Sequence, residues 1–145
     1  MDNREKPMNK YDTVDEHLME LELNNKVFRS DPLKKISDED SRVDRFNKKY
    51  LIELKCRKYS IDKIKLWGGA MIERDKYRAL INECGDKIPA YINKFPCGSY
   101  YGWNLKKIKE PSWYEEDLPK STVENKGKKP KIVGDLQFKD GKKLI

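Results

Sequence analysis

Asp44, Glu53 and Lys55 are the residues of this chain whose types and spacing suit chemistry. Glu53 and Lys55 stand two apart within the run Tyr50–Arg57, and side chains two apart share one face of a strand. Read as a strand, the run puts Tyr50, Ile52, Leu54 and Cys56 on one face and Leu51, Glu53, Lys55 and Arg57 on the other. A second carboxylate, Asp44, precedes a polar turn near Asn47-Lys48. Two carboxylates and an ammonium on rigid backbone make a site for a hard metal ion and an activated water.

The elements that must position them are a hairpin, Val43–Phe46 against Tyr50–Tyr59. With a two-residue loop at Asn47-Lys48, Asp44 lies opposite Leu51 and diagonal to Glu53. With the turn at Lys48-Lys49 it lies directly opposite Glu53. Either even-length loop puts both acids on one face, and an odd-length loop turns one away. The pattern Glu-x-Lys recurs at Glu124–Lys126, and Asp140–Lys142 is its aspartate counterpart, but neither sits in an apolar strand. The bland alternative for Glu53 and Lys55 is a surface ion pair worth about 0–1 kcal/mol.

Around the hairpin, Thr13 and Glu16 form a capping box for a helix on which Val14, Leu18, Leu21 and Phe28 recur at helical spacing. The alternation Met19-Leu21-Leu23 competes as a strand signal. Ser30-Asp31-Pro32 ends the helix. Leu33–Ile36 reads as extended, Ser37–Asp40 as an acidic turn, and Ile61–Leu66 as a connector before Gly68-Gly69. Met71 to Cys84 reads as an amphipathic helix stopped by Gly85. Ile88–Phe95 and Tyr100–Leu105 read as aromatic-rich strands, and Ile132–Phe138 as one late strand. The expected organisation is a polar tail over 1–12, a core over 13–105 and a basic extension over 106–145.

Composition narrows the chemistry. The 145 residues carry 32 basic and 25 acidic side chains, a formal charge of +7, which favours polyanionic partners. A single histidine, His17, excludes His-rich zinc centres built from one chain. Cys56, Cys84 and Cys97 are odd in number and widely spaced, with no C-x-x-C pattern, which fits a reducing cytoplasm. No apolar run reaches the roughly 18 residues of a membrane span, and the polar N-terminus does not resemble a signal peptide. The expectation is a soluble cytoplasmic protein with no membrane partner.

Asp44, eight intervening residues and Glu53-Leu54-Lys55, set between two helices, resemble the PD-(D/E)XK nuclease superfamily. The longer run Glu53–Tyr59, followed by Ile72-Glu73 and Lys76-Tyr77, looks like small nuclease-like proteins of tailed bacteriophages. The likeness spans roughly residues 13–105. One position departs from the pattern: Val43 stands where the family commonly has proline. The resemblance implies an α/β fold with a restriction-endonuclease-like α-β-β-β-α-β core, its mixed central sheet flanked by helices. It implies Mg²⁺-dependent cleavage of DNA (Mn²⁺ substituting) in the host cytoplasm, with Asp44, Glu53 and the Leu54 carbonyl holding the metal. Lys55 would orient or deprotonate the attacking water and stabilise developing charge. Many members add a carboxylate from the first helix. Glu16, Glu20 and Glu22 are the candidates: helical phase places Glu22 nearest the apolar stripe, while the spacing to Asp44 makes Glu20 the more familiar choice, and Glu20 is the one taken.

Arg57, Lys76, Lys128 and Lys129 are the candidate nucleic-acid contacts. Against this, Arg57 can simply pack, Lys76 can be solvated or pair with Glu73, and Lys126–Lys131 can be a solvated loop. Tyr91, Phe95, Tyr100, Tyr101, Trp103, Trp113 and Tyr114 offer either base stacking or core packing. A lysine among carboxylates stays charged unless deeply buried, which suits electrostatic stabilisation better than base work. Two rivals to an enzyme remain: a noncatalytic nucleic-acid-binding module on the same fold, and a phage effector that binds a host protein. Cuts on opposite strands would be simplest for a homodimer, although no dimer surface is readable.

Overall fold

A computed structural model describes residues 14–36, 44–119 and 128–145, side chains excepted at 118, 119 and 128. The polar tail 1–12, the Thr13 cap, the acidic turn 37–40, Val43, Glu124 and Lys126, and the Lys128 side chain lie outside the described residues. The elements run α1 (Val14–Lys26), β1 (Lys34–Lys35), β2 (Arg45–Phe46), β3 (Tyr50–Cys56), α2 (Ile61–Leu66), β4 (Ala70–Glu73) and α3 (Arg74–Glu83). They continue with β5 (Ile88–Lys94), β6 (Tyr100–Asn104), β7 (Tyr114–Pro119), β8 (Lys128–Leu136), a 3₁₀ turn at Phe138–Asp140 and β9 (Lys142–Lys143).

The chain is mixed α/β. A six-stranded sheet has the order β1-β2-β3-β5-β6-β9, and a smaller antiparallel sheet has the order β4-β8-β7. All neighbours in the large sheet are antiparallel except β3 and β5, which run parallel from Tyr50↔Ile88 to Cys56↔Lys94. Parallel neighbours cannot be joined by a tight turn. Residues 57–87 therefore cross over through α2, β4 and α3.

The large sheet is covered on both faces. Ile52 and Leu54 of β3 join Ala90, Ile92 and Tyr100 beneath Met19 and Leu23 of α1. On the other face Leu51, Tyr91, Trp103 and Leu105 pack with Ile72, Tyr77, Leu80 and Leu136. The alternation expected along Tyr50–Arg57 is thus observed, with both faces of β3 buried over Leu51–Leu54.

Three expectations need correction. The first helix forms, but Val14, Leu18 and Leu21 are more than half exposed while Met19 and Leu23 are wholly buried. Polar pairing sets this rotation. Arg45, buried in β2, takes the Glu20 carboxylate. The Tyr100 hydroxyl donates to Glu22 (2.8 Å), and Asn24 bonds both backbone groups of Leu33. The connector Ile61–Leu66 is a short helix capped by Ser60, whose hydroxyl accepts from the Lys63 N–H (3.2 Å). Met71–Glu73 is strand rather than helix, because β8 pairs with it from Ala70↔Leu136 to Glu73↔Val133.

Gly69 permits that pairing. It has φ +134°, and a Cβ there would lie 2.5 Å from the Leu136 carbonyl oxygen. The residues after 105 are correspondingly more structured than a single late strand: β7 and β8 complete the small sheet, β9 edges the large one, and Leu136 lies in the core.

The rotation of α1 separates two neighbouring residues. Met19→Ala is expected to cost about 2–5 kcal/mol in urea denaturation, whereas Leu18→Ala stays within about 0.5 kcal/mol. Equal losses would contradict this orientation.

Candidate active site

The hairpin uses the Lys48-Lys49 turn. Asn47 builds it: its side-chain oxygen accepts from the N–H groups of Lys49 (3.0 Å) and Tyr50 (2.7 Å), and its own N–H donates to the Tyr50 carbonyl (3.1 Å). The resulting register pairs Phe46 with Leu51 and Arg45 with Ile52. Asp44, just before β2, donates its N–H to the Ile52 carbonyl (3.1 Å), and its charge acts on Glu53. Both are 7 % exposed.

Each carboxylate has a partner among the described residues. Asp44 Oδ2 accepts from the Leu54 N–H at 3.0 Å. Glu53 Oε2 faces Lys76 Nζ of α3 at 3.3 Å. Glu53 Oε1 is buried and has no hydrogen-bond partner among the described residues. A strand residue directs its N–H and C=O towards the same neighbour, so the Leu54 carbonyl faces the edge where Asp44 lies.

Strand β5 supplies the floor, with Tyr91 beside Glu53 and Asn93 beside Lys55. Arg57 closes the far end. Its guanidinium donates to Asn93 Oδ1 (2.6 Å), the Tyr91 hydroxyl (3.1 Å) and the Met71 carbonyl. Arg57 is thus an internal strut across the crossover, one of the two roles its sequence position allowed.

Two buried carboxylates disfavour one another's charge. Burial raises the Glu53 pKa well above its ordinary value, Asp44 raises it further, and Lys76 only partly offsets this. For Lys76 burial acts downward, but Glu53 and Asp44 outweigh it and the ammonium is held more firmly. Lys55 moves the other way: burial and then the Arg57 charge lower its pKa, against Glu53, Glu73 and Glu16. The two lysines therefore divide the work. Lys76 is the fixed cation, and Lys55 is displaced towards the neutral amine. Burial and the Arg57 charge thus outweigh the carboxylates in setting the direction of the Lys55 shift.

The three glutamates of α1 also separate. Glu20 is taken by Arg45 and Glu22 by Tyr100 and Lys94. Glu16 is the one whose charge acts on both Glu53 and Lys55. Glu73 pairs with Lys131 (3.5 Å) rather than with Lys76. Lys129 is exposed on β8, away from the described contacts of the site, and the Lys128 side chain lies outside the described residues.

Tyr91, Phe95, Tyr100 and Trp103 are buried, so they pack rather than stack bases. Tyr91 and Asn93 are the site residues that sequence periodicity did not single out. Their alternation in β5 was visible, but their pairing with Glu53 and Lys55 depends on a parallel register set by the crossover.

A Mg²⁺ ion suits this donor set. It takes oxygen ligands, commonly through one or two carboxylates while retaining waters, and Glu53 Oε1, without a hydrogen-bond partner among the described residues, offers such a ligand. Among the described residues no three His, Cys, Asp or Glu side chains group as a ready-made metal shell. Two carboxylates, the Leu54 carbonyl and water or substrate oxygens would complete it.

The raised Glu53 pKa has a stability consequence. The unfolded chain ionises first as pH rises, near the ordinary value of 4.5. Glu53 therefore contributes most below that value, and its contribution is lost as pH rises through its folded pKa. Glu53→Gln is expected to raise stability at about pH 8 by about 1–3 kcal/mol, the difference closing below 4.5. Thermal melts across this range check it, and identical melts at high pH would refute the strain assigned to ionised Glu53.

No protein-family model matches this chain, and no curated protein is significantly similar to it in sequence.

Proposed function

We propose that the chain is a divalent-metal-dependent nuclease of restriction-endonuclease-like architecture that cleaves DNA. The observation that carries the reading is the buried Asp44–Glu53 pair with one carboxylate oxygen uncompensated. The order α1-β1-β2-β3, then α3-β5, supports the architecture, with α2 and β4 inserted in the crossover. The formal charge of +7 suits a polyanionic substrate.

In this reading Asp44 and Glu53 hold Mg²⁺ or Mn²⁺, assisted by the Leu54 carbonyl. When bound, the ion supplies a Lewis acid that polarises the phosphodiester and acidifies a coordinated water. Lys76 partly offsets the cost of ionising Glu53, and a bound cation would offset the rest. Lys55, its pKa lowered by burial, accepts a proton from the attacking water, and as lysinium it then stabilises charge on the phosphate. Arg57 holds Asn93 and Tyr91 in place beneath Lys55 and Glu53. Helix α1 contributes Glu16 to the field of the site more directly than Glu20.

One observation favours a second reading. Lys76 already neutralises Glu53 at 3.3 Å, as it would in a noncatalytic nucleic-acid-binding module that has replaced its metal with an ammonium.

Plasmid and oligonucleotide cleavage in Mg²⁺ or Mn²⁺ separates the two. Asp44→Asn, Glu53→Gln and Lys55→Ala should each lower the rate by at least about 100-fold, and chelation should abolish it. Salt-sensitive DNA binding with no metal-dependent cleavage would establish the binding module instead. Because Lys55 works as the free amine, the single-turnover rate should climb with pH and level off below the ordinary lysine value of 10.5. A rate independent of pH would remove Lys55 from proton transfer.

A further inference from the structure

Tyr59 and Trp67 flank the short helix α2, and their side chains meet on its outer surface with ring centroids 5.1 Å apart at 76°. Trp67 is 58 % exposed, Tyr59 51 % and the intervening Leu66 82 %. A tryptophan is usually well buried, and an apolar cluster left open in this way marks an interaction site. No core packing accounts for either ring.

The backbone turn that carries Trp67 is held by hydrogen bonds. The Trp67 N–H donates to the Lys63 carbonyl (3.1 Å), the Gly68 N–H to Lys65 (3.1 Å) and the Gly69 N–H to Ile64 (3.0 Å). The Gln137 side chain grips the Gly68 carbonyl at 2.7 Å. A ring on so firmly held a turn loses little conformational freedom when something stacks on it.

Charge selects the partner. Between Arg57 and Trp67 the chain has Arg57, Lys58, Lys63 and Lys65 against the single acid Asp62. Lys58, Lys63 and Lys65 are exposed. Lys63 Nζ lies 5.8 Å from the Tyr59 ring centroid, and Lys65 Nζ lies 5.4 Å from that of Phe138. Exposed aromatic faces rimmed by lysines complement a ligand that combines flat π-surfaces with regularly spaced anions. A duplex keeps its base faces stacked internally, whereas a single strand presents them.

We propose that Tyr59 and Trp67 form a base-stacking platform for single-stranded nucleic acid, with Lys58, Lys63 and Lys65 contacting its phosphates. The platform begins four residues beyond Lys55 on the same chain segment, and α2 leads into β4, whose Met71 carbonyl receives Arg57. A strand stacked there is placed beside the exit of β3. As a statement about the preferred substrate, an unpaired or branched region of DNA, the proposal rests on the nuclease reading. As a statement about binding it does not.

The test is fluorescence-anisotropy binding of the full chain, in EDTA, to labelled oligo-dT of about 16 nucleotides and to a duplex of the same length. The parent should bind the single strand. Trp67→Ala and Tyr59→Ala should each weaken that binding about 5- to 100-fold while changing duplex binding by less than about twofold. Trp67→Phe should recover most of the loss, and Lys63→Ala should reduce the salt slope by about one ion. Absence of oligo-dT binding, alanine variants that bind like the parent, or an equal loss on both DNAs would overturn the platform. Exposed positions are chosen so that the variants fold, which matching circular dichroism and melting curves verify. Trp67-dependent binding without metal-dependent cleavage would retain the platform and reject the nuclease, and cleavage with Trp67-independent binding would do the reverse.

Discussion

The register of a two-residue turn governs the rest of this molecule. Asn47 accepts two backbone N–H groups with its side chain and donates its amide N–H to Tyr50, which leaves Lys48 and Lys49 as the loop. Its side-chain amide also donates to the Asp31 carbonyl, tying the turn to the segment after α1. Side chains alternate with period two, so a slip of one residue would carry Asp44 to the face occupied by Ile52 and Leu54. The carboxylate pair would be lost and an acid would be forced beneath α1. A buried polar side chain at the base of a turn thus sets the surroundings of a buried carboxylate pair.

Around that pair, charge is arranged rather than merely accumulated. Asp44 and Glu53 raise the cost of one another's ionisation, and the protein answers with Lys76 on one Glu53 oxygen only. Lys55, lying on the same strand face, is denied full compensation by the neighbouring Arg57. A pair of lysines with opposite shifts is a more informative feature than either carboxylate alone, because ordinary structural ion pairs favour the charged state of both partners. Arg57 links the two halves of this arrangement by spanning from Asn93 on β5 to Met71 on β4.

The crossover between β3 and β5 has two roles. It delivers Lys76 on α3 to the buried side of Glu53, and on its outer surface it displays α2 with Tyr59 and Trp67. Both depend on β4 being drawn into the small sheet by β8, a strand more than fifty residues later in the chain. The C-terminal residues therefore do more than decorate the fold. They anchor the element from which the candidate site and the exposed aromatics are both suspended.

Local pattern was enough to identify a strand from Tyr50, its two faces, a hairpin with its turn near Asn47–Lys49 and the first helix as an element, while the length of the hairpin loop stayed open. These follow from side-chain alternation and turn chemistry among neighbours in sequence, and so did the candidacy of Asp44, Glu53 and Lys55. The rotation of α1 was not legible, because Val14, Leu18 and Leu21 form the more obvious apolar stripe. What overrides it is the burial of Arg45, which demands Glu20 from a helix 25 residues earlier. The strand at Ala70–Glu73 was likewise invisible, since its pairing partner β8 is remote. The amino-acid sequence alone determined which groups were available and which of them shared a strand face. Only tertiary structure decided which glutamate meets which cation and in which direction each lysine's pKa moves, because burial and long-range pairing set the energy of an ionised group.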